Sequence, residues 1–243
     1  MAVLWVWHLY LKNAGIVDLG WVAGFVVLTT LYFFSFRNFG PKQLLIFWMV
    51  GIWSGRLFFS LLRRFLKDER EDPRYQKIRS DWKTNQNFKF FFFFQFQGLL
   101  DVILSLPFFL VCSDARGTLS WLDCVGFAIW LVGIFGEAAS DMQLKKFKDN
   151  PYHRGMVCRE GLWTYSRHPN YFFEWLVWVG YGVFALSSPM GWSSLLSPAI
   201  MLFLLLKVSG VPLAEQQSLR SRPDGYREYQ RTTSVFVPWF NKK

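Results

Sequence analysis

Apolar runs of roughly membrane-spanning length alternate with polar connections along the whole chain. They cover residues 15–36, 42–62, 90–111, 121–140, 171–186 and 195–212. A helix that crosses a bilayer needs about 20 predominantly apolar residues, so the pattern predicts six spans. The fifth run is short, and the second carries Arg56 inside it. Residues 1–11 are apolar but too short to cross. They read as an interfacial helix or the stub of a seventh span, and they lack the basic start and small-residue cleavage site of a signal peptide. The predicted fold class is an all-α polytopic membrane protein, a bundle of six to seven transmembrane helices forming a single membrane domain, 1–243. The five consecutive Phe at 90–94 leave no polar face, which suits a span surrounded by lipid or protein.

Two polar segments interrupt this pattern. Residues 67–87 (KDEREDPRYQKIRSDWKTNQN) mix both signs of charge around Pro73, predicting a short amphipathic helix or structured loop on the cytosolic surface. Residues 214–229 (AEQQSLRSRPDGYREY) read as helix in pieces, broken at 223–225, and the apolar SVFVPWF (234–240) follows. That end either folds back to cap a cytosolic pocket or lies loosely on the membrane.

Composition sharpens the class. The 243 residues are 52% hydrophobic and 20% aromatic, with 27 Phe and 13 Trp, more than a soluble core of this size would hold. The formal charge of +10 is concentrated in 63–89, 145–167 and 220–243, whereas the connections 113–120 and 187–194 contain only Arg116. With six spans the three basic segments share one side, which the positive-inside rule makes cytosolic. The loop holding Arg37 and Lys42 breaks that rule. The positive charge is therefore assigned to topology and anionic headgroups, and with no soluble basic domain visible, nucleic acid is not an expected partner. Cys112, Cys124 and Cys158 form neither a disulfide framework nor a metal-ligand spacing, and the three His make no paired motif. No metal is expected.

Several ionisable residues fall at membrane depth: Asp18, Arg56, Asp101, Glu137, Asp141 and Glu174. Such residues face a bundle interior or a water-filled cavity and find partners there. Asp101 reads as structural, and Arg56 with an acid as either helix glue or part of a substrate pocket. Glu137, Asp141, Lys145 and Lys148 lie at helical spacing on one face, and Arg154 and Arg159 follow. Such cations neutralise phosphates through charge-assisted hydrogen bonds. Asn170 and Glu174 share a face of the fifth span. If spans four and five adjoin, these faces enclose a pocket open to the cytosol, with a basic rim for phosphates and acids plus an amide deeper in for ribose hydroxyls and a carboxamide. No glycine-rich dinucleotide motif is present, so such a site is not of the Rossmann type. The stretch GLWTYSRHPNYFFEW (161–175) brings Tyr165, Arg167, His168 and Tyr171 to the same place. It serves equally as a grip for a polyanionic cofactor or as an interfacial belt in which Arg snorkels and the aromatics anchor.

These residues match a family. EAASDMQLKKFK (137–148), GLWTYSRHPNYFFEW (161–175), KVSGVPLAE (207–215) and YREYQRTTSVFVPWF (226–240) resemble the steroid 5-alpha-reductase-like membrane proteins, most closely the DUF1295 branch. In the N-terminal half IVDLGW (16–21), GRLFFSLL (55–62) and EDPRYQKIRSDW (71–82) resemble it too. The resemblance implies about seven spans, a substrate-side half 1–120, and a half 121–243 that holds NADPH in a cytosolic-facing cavity. It implies cofactor contacts at Asp141, at Lys148 where a reductase uses Arg, and at Asn170 and Glu174. Tyr226 and Tyr229 lie in the closing motif, while Arg167 and His168 belong to an RHPNY variant that the steroid enzymes do not keep. There are departures. The steroid enzymes polarise an enone with a Tyr and a Glu of the N-terminal half. Here the Tyr position falls near Trp53, one turn before Arg56, and the Glu has no clear counterpart, which leaves Asp18 and Arg56 as catalytic candidates. Phe173 stands where the branch often has Gly, crowding any ligand near that helix, and the family's first span is truncated at Met1.

The leading expectation is a membrane-embedded, NADPH-dependent reductase of a double bond in a hydrophobic, steroid- or lipid-like substrate, with membrane lipids as its surroundings. The superfamily's methyltransferases supply an alternative, with S-adenosylmethionine as cofactor and the basic cluster as a mere collar. A non-catalytic scaffold of the same fold is a third. Apolar walls suit a sterol, a fatty acyl enone, an isoprenoid or a carotenoid. The membrane is the endoplasmic reticulum in a eukaryote and the inner membrane in a bacterium; Asn241–Lys243 loosely resembles a dilysine retrieval signal. The oligomeric state leaves no mark in the sequence.

Overall fold

The computed structural model of the protein describes residues 1–67 and 71–240. Residues 68–70 of the polar insertion and the dilysine-like 241–243 lie outside the described residues. The described chain is helical and divides into two compact units, Met1–Leu119 with Ser188–Met190, and Ser120–Ser187 with Gly191–Lys243.

The first unit holds α1 (Ala2–Leu11), α2 (Ile16–Phe36), α3 (Pro41–Lys67), α4 (Pro73–Asp81), α5 (Gln86–Leu104) and α6 (Leu106–Ser113). The third predicted span is α5 and α6 together, bent by 43°. The bend falls where Pro107 enters the chain, because proline cannot donate the helical hydrogen bond and clashes with the preceding turn. The polar insertion forms α4. The Asp72 side chain caps it by accepting from the Arg74 backbone N–H at 2.9 Å, and Pro73 sits in the first turn, where its missing N–H costs nothing.

Aromatic packing fills the core of this unit. Phe25 meets Trp53 edge-on at 5.5 Å and Phe108 at 6.2 Å, and all three are fully buried. In the Phe run, Phe90 and Phe94 are buried one helical turn apart while Phe92 is 56% exposed. One residue type thus serves both a protein face and a lipid face.

Lys42, an exception to the charge pattern, is only 1% exposed. Its ammonium donates to Asp114 at 3.2 Å and to Ser188 at 2.9 Å. It is a neutralised structural cation. Burial alone would push the Asp114 carboxyl up, but hydrogen bonds from Arg116 and Lys42 bring it down to about 2.

The second unit holds α7 (Trp121–Asp149), α8 (Pro169–Ala185), α9 (Leu196–Phe203), α10 (Val211–Ser221) and α11 (Pro223–Thr232). A Ser120–Asp123 capping box starts α7. The helices α7 and α8 pack antiparallel along small residues. A Cβ on Gly126 would sit 2.3 Å from the Phe184 backbone nitrogen, one on Gly180 2.7 Å from Trp130, one on Gly133 2.7 Å from Val177, and one on Gly136 2.2 Å from the Phe173 ring. A π-helical turn, Leu204–Val208, leads from α9 toward α10.

Four helical segments among the described residues are long and apolar enough to cross a membrane, and the bent α5–α6 pair makes up to five. The fifth predicted run is the short helix α8. With 17 residues, α8 is about 26 Å long, at the lower end of what crosses a bilayer. The polar C-terminal segment is helical in two pieces, but the break falls at Arg222; Pro223 opens α11, and Gly225 lies within it.

Candidate functional site

The α7–α8 register sets the depth of the polar side chains. With Gly133 opposite Val177 and Gly136 opposite Phe173, Glu137 is level with Glu174, and Asp141 is level with Asn170. Glu137 is 5% exposed and Glu174 9%. Trp178 Nε1 donates to Glu174 Oε1 at 2.9 Å. The Asn170 amide oxygen is buried and accepts no hydrogen bond from the described residues. Two carboxylates and an amide therefore occupy one stretch of the helix pair, at its polar end.

One level of the α7–α8 interface is closely packed. The Phe173 ring lies against Gly136 and fills the interface at that level. Open volume is found along the last turns of α7, in an exposed groove of about 550 Å³ lined by Met142, Lys145, Lys146, Asp149 and Asn150. Lys145 ion-pairs there with Asp149 at 2.8 Å. Lys148 and Arg154 are exposed. Of the predicted rim, Lys145 alone lines this groove.

The RHPN segment makes a different structure. Arg167, 10% exposed, donates from Nε to Glu215 at 2.8 Å and from Nη1 to the carbonyls of Gln230 at 3.0 Å and Thr233 at 2.8 Å. Glu215 gathers further partners. Gln230 donates to it at 2.8 Å, and His168 Nε2 and the Tyr226 hydroxyl each lie 3.4 Å away. Tyr229 donates to the carbonyls of Trp163 and Ser166. Burial, with the Glu215 charge beside Tyr226 and Cys158 beside Tyr229, pushes both phenols well above their ordinary range, so both remain donors.

The C-terminal segment folds back as a strap along residues 165–167. Ser166 and Ser234 form a parallel bridge, the Arg167 N–H donates to Ser234 at 2.8 Å, Ser166 Oγ to Phe236 at 2.8 Å, and the Trp239 N–H to Tyr165 at 3.0 Å. Arg159 donates to Gly225 at 2.8 Å, pairs with Glu228 at 3.1 Å, and sits 5.6 Å above the Tyr229 ring. The His168 ring stacks on Tyr171 at 5.4 Å.

Apart from the exposed Lys145, Lys148 and Arg154, and Tyr171 against His168, the predicted cofactor residues fall into two groups. Glu137, Asp141, Asn170 and Glu174 share the polar end of the helix pair. Arg159, Tyr165, Arg167, His168, Tyr226 and Tyr229 make contacts within the RHPN segment, α10, α11 and the strap. Sequence reasoning missed Glu215, the hub of that second group. It was visible as an isolated acid at the end of KVSGVPLAE, but nothing in one dimension connected it with Arg167 or Gln230. Also missed was Ser140, whose carbonyl accepts from Trp163 Nε1 at 3.0 Å and so ties the RHPN segment to α7.

In the first unit, Asp18 has both oxygens engaged. Tyr75 donates to Oδ1 at 2.5 Å and Arg74 to Oδ2 at 2.8 Å. It joins the start of α2 to α4. Arg56 is half-buried within α3.

Long apolar helices with a buried carboxylate–amide cluster define an all-α membrane protein with a polar site at one end of a helix pair. The chain belongs to the family described as Protein of unknown function (DUF1295), which it matches over residues 4–233. It is 25% identical over 276 aligned positions to an uncharacterized protein of Schizosaccharomyces pombe, a match that covers 97% of this chain and 76% of that protein. No solved structure matches the chain significantly.

Proposed function

We propose that the protein is a membrane-embedded reductase that uses NADPH to reduce a double bond in a hydrophobic, steroid- or lipid-like substrate, with its basic segments and C-terminus on the cytosolic side. The observation that carries this reading is the buried Asn170 amide oxygen without a donor, level with Asp141 and one turn from Glu174. A buried acceptor left unpaired costs about 1–3 kcal/mol, and a ribose hydroxyl or a carboxamide N–H supplies the missing donor. The residues therefore fit a nucleotide at this end of α7 and α8. Asn170, Glu174, Glu137 and Asp141 would hold its uncharged polar groups. Lys145 and Lys148, exposed on the last turns of α7, and Arg154 just beyond it would meet its phosphates. Tyr171 stacks on His168 and fixes the approach to the site. Arg159, Tyr165, Arg167, His168, Tyr226 and Tyr229 act in this reading as positioning residues that hold the strap beside the site. When bound, NADPH supplies the hydride; the chain supplies orientation and a low-dielectric surround.

The test is a melting experiment on purified protein with NADPH, NADH and S-adenosylmethionine added separately. A ligand that binds only the folded state raises the melting temperature. NADPH is expected to do so, and Asn170→Ala to abolish the shift without lowering the unliganded melt. A shift with S-adenosylmethionine alone would replace the reductase by a methyltransferase. A full NADPH shift in Asn170→Ala would remove the amide from the site.

A further inference from the structure

The first unit carries a second groove, of about 600 Å³, where the end of the polar insertion meets the start of α5. Its apolar floor is a stripe of Phe88, Phe92 and Phe96, which are 64%, 56% and 54% exposed. They are spaced four residues apart and so lie on one helix face, about 12 Å long. Trp82, Asn85 and Lys89 form the polar end of the groove.

Charge separates this end from the rest of the insertion. Arg64, Arg74 and Arg79 are consumed by Asp72, Asp18 and Glu71 in ion pairs of 3.3, 2.8 and 2.9 Å. Lys89, and Lys83 close by in sequence, are exposed, and neither has an acidic partner within 4.0 Å among the described residues. The same end carries the first turn of α5, which has no acidic residue and no side-chain cap from Asn85, so the partial positive charge of the helix terminus adds to that of the lysines.

We propose that this groove is a binding site for an anionic glycerophospholipid, with the headgroup phosphate at Lys89, Lys83 and Asn85 and one acyl chain along Phe88, Phe92 and Phe96. The juxtaposition excludes the simpler ligands. A free phosphate has no use for the aromatic stripe, and a neutral lipid leaves two cations unmatched at the membrane boundary. Trp82 belongs at such a boundary, with an apolar ring and a polar N–H.

Trp82 also reports occupancy. The full-length protein is reconstituted in phosphatidylcholine vesicles, and brominated phosphatidylcholine or brominated phosphatidylglycerol is added as quencher. Phosphatidylglycerol is expected to quench more strongly at equal content, and Trp82→Phe to remove that excess. Lys83→Gln with Lys89→Gln should weaken the preference by about fivefold per lysine. Phe92→Ala, at an exposed position, keeps the preference but weakens binding of both lipids. Equal quenching by the two lipids overturns the site, as does a preference that survives the double Lys variant or an excess that survives Trp82→Phe. Displacement of the brominated lipid by inorganic phosphate overturns the lipid in favour of a free anion. The melting temperature of each variant separates lost binding from lost fold, and the Phe92→Ala result stands if the double Lys variant does not fold.

Discussion

Glu215→Ala is the most direct probe of how the C-terminal strap is held. The carboxylate accepts two hydrogen bonds of 2.8 Å, from Arg167 and Gln230, and has His168 and Tyr226 at 3.4 Å. Hydrogen bonds to a charged group contribute about 1.5–3 kcal/mol each. The two short ones together give roughly 3–6 kcal/mol, and the longer pair adds little. Arg167 would keep its two backbone carbonyls but lose its counter-charge at 10% exposure, which removal of one partner of a buried pair prices in the same range, about 3–5 kcal/mol. At about 2–4 °C per kcal/mol the melting temperature should fall by roughly 6–24 °C. The assay is thermal unfolding in detergent, run with limited proteolysis read at the strap aromatics Phe236 and Trp239. Arg167→Ala and the double variant complete a cycle, in which the two losses should overlap and leave a coupling of about 1–3 kcal/mol. A Glu215→Ala protein that melts like its parent and resists proteolysis at the strap would refute the clamp. Additive losses would refute the pairing.

Other outcomes follow from the same geometry. Gly126→Ala should destabilise by more than Gly136→Ala, because the new Cβ meets a backbone nitrogen at 2.3 Å in the first case and a ring that can rotate in the second. Overpacking of this kind costs about 1–3 kcal/mol, and equal melting temperatures would count against the register. Asp114 titrates at about 2 in the folded chain against an ordinary 3.8. A depressed carboxyl stabilises the fold above its unfolded value, so about 2.5 kcal/mol is fully present above about pH 5 and is lost as the pH falls toward 2. Asp114→Asn should flatten that acid limb and lower stability at neutral pH, and an unchanged acid profile would show that the Asp114 carboxylate, held by Arg116 and Lys42, does not carry it. Phe173→Ala should open space beside Gly136 and change NADPH affinity more than it changes the Asn170 contact. The readout is the NADPH melting shift in Phe173→Ala with and without Asn170→Ala.

The sequence by itself determined the class and much of the helix inventory. Membrane helices must satisfy every backbone group internally, so apolar length is almost the whole signal, and it located α2, α3 and α7 within a few residues, except that α7 runs on into its polar turns. The polar residues at helix ends were legible for the same reason, since an ionisable group at that depth stands out against an apolar background. The family was legible through linear motifs. What the sequence did not carry was pairing. Glu215 and Arg167 are 48 positions apart, Lys42 and Asp114 are 72 apart, and Asp18 meets Tyr75 across 57. Local periodicity contains no term for such contacts. Tertiary structure alone decided that Arg167 clamps a strap, that Lys42 is neutralised, and that the Phe173 ring seats against Gly136. Which carboxylate a cation meets depends on helix register and chain reversal. Both are set by the close packing of glycines and aromatic rings from distant parts of the chain.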